Sequence, residues 1–137
     1  IPLRSSALAI PKAEYGHFLI DMKKDLQRSL MLADAAGIAR DQIILDPGVG
    51  FGKTYEQNLA VLAHLDTFLD FELPLLLATS RKSVIGLTLD LPVEEREEGT
   101  MVTSVLAALN HWDMVRVHDV EKNVRALRMT EKIMSLQ

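Results

Sequence analysis

The sequence has no cysteine, which excludes disulfides, thiol catalysis and cysteine-ligated zinc. It has no long apolar run either. Stretches such as Leu75–Ala78 are short, far below the ~20 apolar residues of a membrane span, so no membrane partner is expected. No basic segment followed by an apolar block marks a signal peptide. Together with the missing cysteine, this points to a cytoplasmic protein. Positive charge is not in excess: 15 Lys and Arg stand against 19 Asp and Glu, for a net charge of −4. A chain without a global positive field is not expected to bind nucleic acid, although a local anion site is still allowed. The four histidines, at positions 17, 64, 111 and 118, are too dispersed for a local metal motif, and no HExxH occurs. There is no internal repeat, linker or low-complexity tract.

What remains is a globular composition, 137 residues with 48% hydrophobic and 25% charged, enough for about one domain. The sequence opens on Ile1 rather than Met, which leaves room for an upstream portion.

Two periods alternate along the chain. Phe18, Met22, Leu26 and Leu30, with Leu19 and Ala33 beside them, form one apolar helical face. Gly37 stands where that helix would end. Gln42–Leu45 reads as a strand running into Asp46-Pro47-Gly48. Thr54 with Gln57 three residues on is a capping-box start. Leu59, Leu62, Leu65 and Leu69 continue that helix. Leu73–Thr79 is a second strand, with Pro74 at its entry because proline cannot donate inside a sheet.

Val102, Val105, Leu106 and Leu109 give a further helical face starting near Gly99-Thr100. Met114–His118 is a third strand. Asp119 is a good N-cap for a last helix carrying Val120, Val124, Leu127 and Met134. Residues 1–16 read as irregular chain, and the charge run Glu94–Glu98 as solvated surface. Strands begin roughly thirty residues or more apart, as in βαβ units, so a parallel sheet with helices packed outside it is expected.

In such architectures, sites form at the carboxyl ends of strands. The first strand ends in Asp46-Pro47-Gly48-Val49-Gly50-Phe51-Gly52-Lys53. Its glycines allow close backbone approach to a ligand. A P-loop would need glycine where Pro47 stands, and a dinucleotide fingerprint would need it where Lys53 stands, so nucleotide binding is rejected. Asp46 alone is equally a turn-former. The second strand ends in Ala78-Thr79-Ser80-Arg81-Lys82. Alternation puts Leu76, Ala78, Ser80 and Lys82 on one face, suited to a flat ligand, while a basic strand-to-loop turn is the plainer alternative. The third strand carries Arg116 and His118 on one face. Buried cations are costly without a partner, and an anionic ligand would supply one; a core ion pair is the alternative.

Asp-Pro-Gly-Val-Gly-Phe-Gly-Lys (46–53), Ser-Arg-Lys-Ser-Val-Ile-Gly (80–86) and Arg-Val-His-Asp-Val (116–120) occur in this order and spacing. Together they closely resemble the C-terminal half of dihydropteroate synthase, from about Phe18 to the C-terminus. The resemblance implies an α/β fold, the C-terminal portion of a (β/α)8 barrel with about three parallel strands and four helices. Residues 1–137 would be a single partial domain, since a whole barrel takes ~250 residues. It also implies a transferase of folate biosynthesis, which condenses 6-hydroxymethyl-7,8-dihydropterin diphosphate with p-aminobenzoate and releases diphosphate. Sulfonamides mimic the aminobenzoate in this family.

The resemblance assigns roles to matching positions. Asp46, Gly50 and Lys82 would hold the pterin. Phe51, Ser80 and Lys82 would meet the aminobenzoate, and Arg116 and His118 the diphosphate. Arg81 is expected to point away from the site. Ala78 departs from the family's usual glycine and would crowd the pterin mildly. The family's Mg2+ is held through an asparagine from the first four strands, so no metal ligand is expected in residues 1–137. The resemblance also implies a homodimer packed through the last helices; the Thr100–Asn110 helix is apolar over more of its circumference than one stripe needs, and either a partner subunit or the missing half of the barrel would cover the excess.

Two other readings compete. A pterin-binding domain of a folate-dependent methyltransferase shares the barrel and the pterin-holding aspartate. However, methyl transfer expels no diphosphate for Arg116 and His118 to bind. A half-barrel acting only through association would bind neither kind of ligand.

Overall fold

Each helix expected from the apolar periodicity is present in a computed structural model of the chain, which describes residues 12–137. The first, α1, spans Lys12–Ala35. Its buried side is Leu19 and Met22, with Phe18, Leu26 and Leu30 packed against the core. The helix begins inside the segment expected to be irregular. Pro11 precedes it in the sequence, and proline's fixed φ suits a helix start. The rest of that segment, residues 1–11, lies outside the described residues. Gly37 closes the end with φ of +81°.

The strand expected at Gln42–Leu45 is shorter. Arg40–Gln42 is a 3-10 turn, and Leu45 alone pairs, in a parallel bridge to Leu75. The second and third strands also contract, to β1 (Leu76–Leu77) and β2 (Met114–Val115), paired in parallel as Leu76↔Met114 and Leu77↔Val115. Flanking bonds extend the ladder: Leu45 N–H donates to Pro74 O at 2.8 Å, Leu76 N–H to Leu45 O at 2.8 Å, and Arg116 N–H to Leu77 O at 2.9 Å. Pro74 thus sits at the strand entry, contributing only its carbonyl.

Between these strands, α2 (Tyr55–Ala63) starts on a complete capping box of Thr54 and Gln57. It stops sooner than the leucine spacing predicts. Leu65–Phe71 continues as 3-10 helix, whose three residues per turn align Leu65, Phe68 and Phe71 rather than Leu69 on the buried side. A short helix, α3 (Ser83–Leu89), follows β1 and has no counterpart in the periodicity. Then come α4 (Glu97–Leu109) and, after β2, α5 (Val120–Met134), whose N-cap Asp119 accepts the Lys122 N–H at 3.0 Å.

The core lies on one side of the strands. Leu45, Leu75 and Leu77 meet Val61, Leu65, Phe68, Val84, Ile85 and Ala107, and Trp112 closes one end. The Trp112 ring meets Phe68 edge-on at 6.0 Å, and its Nε1–H donates to Leu65 O at 2.9 Å. The other side of the strands is open. Ile44 is 53% exposed, Leu76 and Ala78 are half-buried, and Arg116 and His118 are exposed.

Two helices bury a face other than the apolar stripe. On α4 the buried residues are Thr100, Thr103, Ser104 and Ala107, while Val102 is 58% and Leu109 47% exposed. On α5 they are Asn123 and Thr130. Small polar side chains let these two helices approach closely, and Ser104 Oγ donates to Asn123 Oδ1 at 2.8 Å between them. The charge run also departs from a plain solvated surface. Glu97 accepts from Asn123 Nδ2 at 2.7 Å, and the Arg96 guanidinium turns inward. Among the described residues no helix is long and apolar enough to cross a membrane.

Candidate functional site

The residues singled out in the sequence meet at the carboxyl ends of the strands, on the open side of the sheet. The loop after Leu45 is built on itself. Asp46 Oδ1 accepts the Gly48 N–H at 2.8 Å, so Asp46 is a turn-former while its carboxylate stays exposed. Pro47 and Val49 are buried beneath the loop. Gly50 has φ of +87°, and a Cβ there would lie 3.1 Å from Lys82 Cδ. Glycine is required at this position on both counts, for the left-handed backbone and for the passing lysine.

Lys82 reaches across from the second strand end. Its ammonium donates to Val49 O and stands 4.7 Å over the Phe51 ring, which is otherwise 71% exposed. Burial pushes the Lys82 ammonium below the ordinary lysine range. Asp46 opposes that shift, and Arg116 adds to it by repulsion. Lys53 is lowered for the same leading reason, again opposed by Asp46 and further lowered by Lys82. The Asp46 carboxylate is therefore shared by two ammonium groups, Lys53 and Lys82, and Arg116 stands near enough to Lys82 to repel it, in a chain whose net charge is −4.

At the third strand end, the Arg116 guanidinium makes no hydrogen bond or ion pair among the described residues, while its backbone N–H belongs to the ladder. His118 is tied down: its Nδ1 lies 2.7 Å from Ser80 Oγ, and its backbone N–H donates to the same oxygen at 3.2 Å. When the hydroxyl donates to Nδ1, the ring hydrogen sits on Nε2, the edge turned away from Ser80. A donor so placed beside an unpaired guanidinium is suited to a phosphate-like anion.

Arg81 sits between Ser80 and Lys82 and turns toward Glu97 at the start of α4, although the strand alternation expected to direct it ends at Leu77. Its direction comes from a tight turn, Thr79–Lys82, closed by Lys82 N–H to Thr79 O at 3.0 Å, in which Arg81 has φ of +58°. A non-glycine residue there costs on the order of 1–3 kcal/mol and needs support from its surroundings.

Two residues of the site were not found from the sequence. Lys53 staples the glycine loop, its ammonium donating to Gly48 O at 2.8 Å and Phe51 O at 3.2 Å. Asn58, only 3% exposed on α2, accepts the Gly50 N–H at 2.9 Å. An asparagine directly before the apolar run Leu59–Ala63 of the helix was the available signal, since it favours caps and turns over helix interiors. As for metals, no group of three or more His, Asp or Glu among the described residues could hold one.

Comparison with known proteins agrees in one direction. The profile of the pterin binding enzyme family matches residues 6–118. A dihydropteroate synthase of Clostridium beijerinckii is 50% identical over 88% of this chain and 45% of its own length. That of Bacillus subtilis is 47% identical over 91% and 44% respectively. The α/β fold is similar to that of a Yersinia pestis dihydropteroate synthase solved as a sulfonamide drug complex, with a TM-score of 0.84 and 39% identity, covering 87% of this chain and 43% of that one. A Coxiella burnetii dihydropteroate synthase in complex with pteroic acid gives a TM-score of 0.85 at 34% identity, over 98% and 48%. The chain spans about half the length of the relatives it matches.

Proposed function

Given that the chain belongs to the pterin-binding enzyme family, we propose that it is the C-terminal portion of a (β/α)8 dihydropteroate synthase, forming one wall of the active site as a single partial domain. The observation that carries this reading is that Lys53 and Lys82 share the Asp46 carboxylate while Arg116 stands near Lys82, with Ser80 and His118 joined at the neighbouring strand ends.

Asp46 binds the guanidine-like edge of the dihydropterin, whose donor pair suits a carboxylate. Gly50 lets the ring lie against the backbone, and Lys82 contacts it from the second strand. Phe51, Ser80 and Lys82 form the aminobenzoate side. The aminobenzoate amine attacks the pterin methylene as its C–O bond breaks, and the electron pair leaves with diphosphate. Arg116 and His118 Nε2 stabilise the charge that develops on that leaving group. The resemblance assigns the Mg2+ of this family to an asparagine of the first four barrel strands, not to residues of this sequence. Sulfonamides, as mimics of the aminobenzoate, are assigned to that side; the Yersinia pestis relative was solved as a sulfonamide drug complex. A cytoplasmic setting is in keeping with the cysteine-free sequence.

The outward apolar side of α4 supports the homodimer. Val102 and Leu106, with Leu59, Leu62, Ile85 and Leu89, line an apolar cavity of about 440 Å³ between α2, α3 and α4. A second copy covers this surface. Light scattering at micromolar concentration is expected to give twice the monomer mass, and a lone monomer overturns the assignment.

The test of function is complementation. Residues 1–137, co-expressed with the N-terminal half of the Bacillus subtilis enzyme, are expected to form dihydropteroate from both substrates with Mg2+. Either piece alone is expected to be inactive. Binding of methyltetrahydrofolate, without diphosphate release, would instead favour the methyltransferase reading. Binding of neither ligand class would leave a half-barrel that acts by association.

A further inference from the structure

We infer that Arg96, Glu97 and Thr100, at the start of α4, are positioning residues that hold Arg81 in its left-handed turn and thereby aim Ser80 and Lys82 into the site. The inference rests on the proposed function for the meaning of the site, but its geometry stands alone. Every polar group of Arg81 that could stabilise the turn is met from this one helix start. Its N–H donates to Thr100 Oγ1 at 3.0 Å, and its carbonyl accepts from Arg96 Nη1 at 2.8 Å. Its guanidinium Nε lies 3.5 Å from Glu97 Oε2.

The supports are themselves fixed. Thr100 is fully buried and donates back to Arg96 O at 3.1 Å. Arg96 is threaded past α3, where its Nε donates to Leu91 O at 3.0 Å and a Cβ on Gly86 would come within 2.3 Å of the guanidinium carbon. Glu97 continues to the third strand end. Its Oε1 accepts from Asn123 Nδ2, and the same amide nitrogen donates to Asp119 O at 2.8 Å. One helix start therefore braces both the Ser80–Lys82 turn and the segment just after His118. None of the three bracing side chains touches the ligand-facing side.

The turn decides where Lys82 points. With Arg81 at φ of +58°, Ser80 and Lys82 both reach the open side of the sheet. If Arg81 relaxes to an ordinary φ, the chain after it rotates and Lys82 leaves Val49 and Phe51. Glycine at 81 would adopt the turn without support.

The full chain, with labelled lysine side chains, is titrated by NMR. In the unmodified chain Lys82 titrates below an ordinary lysine. In Arg96→Ala, and in the near-isosteric Thr100→Val, it is expected to return toward the ordinary value, while Lys53 keeps most of its depression. Gly86→Ala, which displaces the Arg96 guanidinium, is expected to act as Arg96→Ala does. Adding Arg81→Gly to Arg96→Ala is expected to restore the low Lys82 value, an outcome that general loosening of the fold would not give. An unchanged Lys82 in Thr100→Val and Gly86→Ala, or no restoration by Arg81→Gly, overturns the inference. Failure of the unmodified complemented enzyme to make dihydropteroate would instead remove the proposed function and leave this result intact.

Discussion

Ser80 Oγ and His118 Nδ1 lie 2.7 Å apart, joining the ends of two neighbouring strands through side chains given different ligands. Under the proposed function Ser80 belongs to the aminobenzoate side and His118 to the diphosphate side, so the two subsites would share a hydrogen bond. Ser80→Ala is therefore expected to raise KM for both substrates of the complemented enzyme. Loss of a bond worth ~1 kcal/mol corresponds to about fivefold for each. A rise for aminobenzoate alone would show that His118 keeps its orientation without Ser80.

Arg116→Ala separates the subsites. Among the described residues its guanidinium has no partner to strand, so its removal is expected to act on the ligand directly. Affinity for the diphosphate-bearing pterin is expected to fall by the ~1.5–3 kcal/mol of a charge-assisted bond, with aminobenzoate binding nearly unchanged. Calorimetry with each ligand reads the difference, and equal losses would refute the anion assignment.

Gly50→Ala places a methyl 3.1 Å from Lys82 Cδ on a backbone with φ of +87°. The left-handed conformation alone costs roughly 1–2 kcal/mol for an alanine. Urea denaturation is expected to show at least that loss of stability, with Lys82 displaced from Val49. No loss would mean that the loop has another conformation at little cost.

Lys82 and Lys53 bind their protons less tightly in the folded chain than in the unfolded one, because burial disfavours the ammonium. Below the folded pKa both states are protonated and the destabilisation is complete. Between the folded pKa and the ordinary value the unfolded state holds more protons, so stability rises with pH, and above the ordinary value the cost is gone. Lys82→Met is expected to raise Tm at pH 7 while abolishing activity. That gain should shrink as pH approaches the ordinary lysine value. A fall in Tm at neutral pH would mean that the Val49 and Phe51 contacts outweigh burial.

Features set by a few adjacent residues were legible in the sequence, and those set by distant partners were not. The Thr54–Gln57 capping box, the Asp119 cap and the Gly37 helix end are local and are all present. The strands came out shorter than their apolar runs, because a ladder needs a neighbour at every residue and only Leu45, Leu75–Leu77 and Met114–Arg116 have one. α3 was hidden because Ser83-Val-Ile-Gly-Leu-Thr-Leu is rich in strand-forming residues; it is helical because Val84 and Ile85 dock in the core. On α4 and α5 the apolar stripe misled, since Thr100, Ser104 and Asn123 are buried by bonds to one another and to the Arg81 turn. The site motifs were visible as residues, whereas Lys53 and Asn58, which hold the loop, show their roles only once the chain is folded.

The parallel pairings follow the order of the chain, Leu45 with Leu75, then Leu76 with Met114. Among the described residues each parallel pairing therefore joins a strand to the one that precedes it in the chain, and each needs only a single intervening loop to close. The entropy of closing such a loop grows only slowly with its length, so the helices between strands can vary in length at small cost to the pairing, while Asp46, Lys82 and Arg116 keep their order across the sheet.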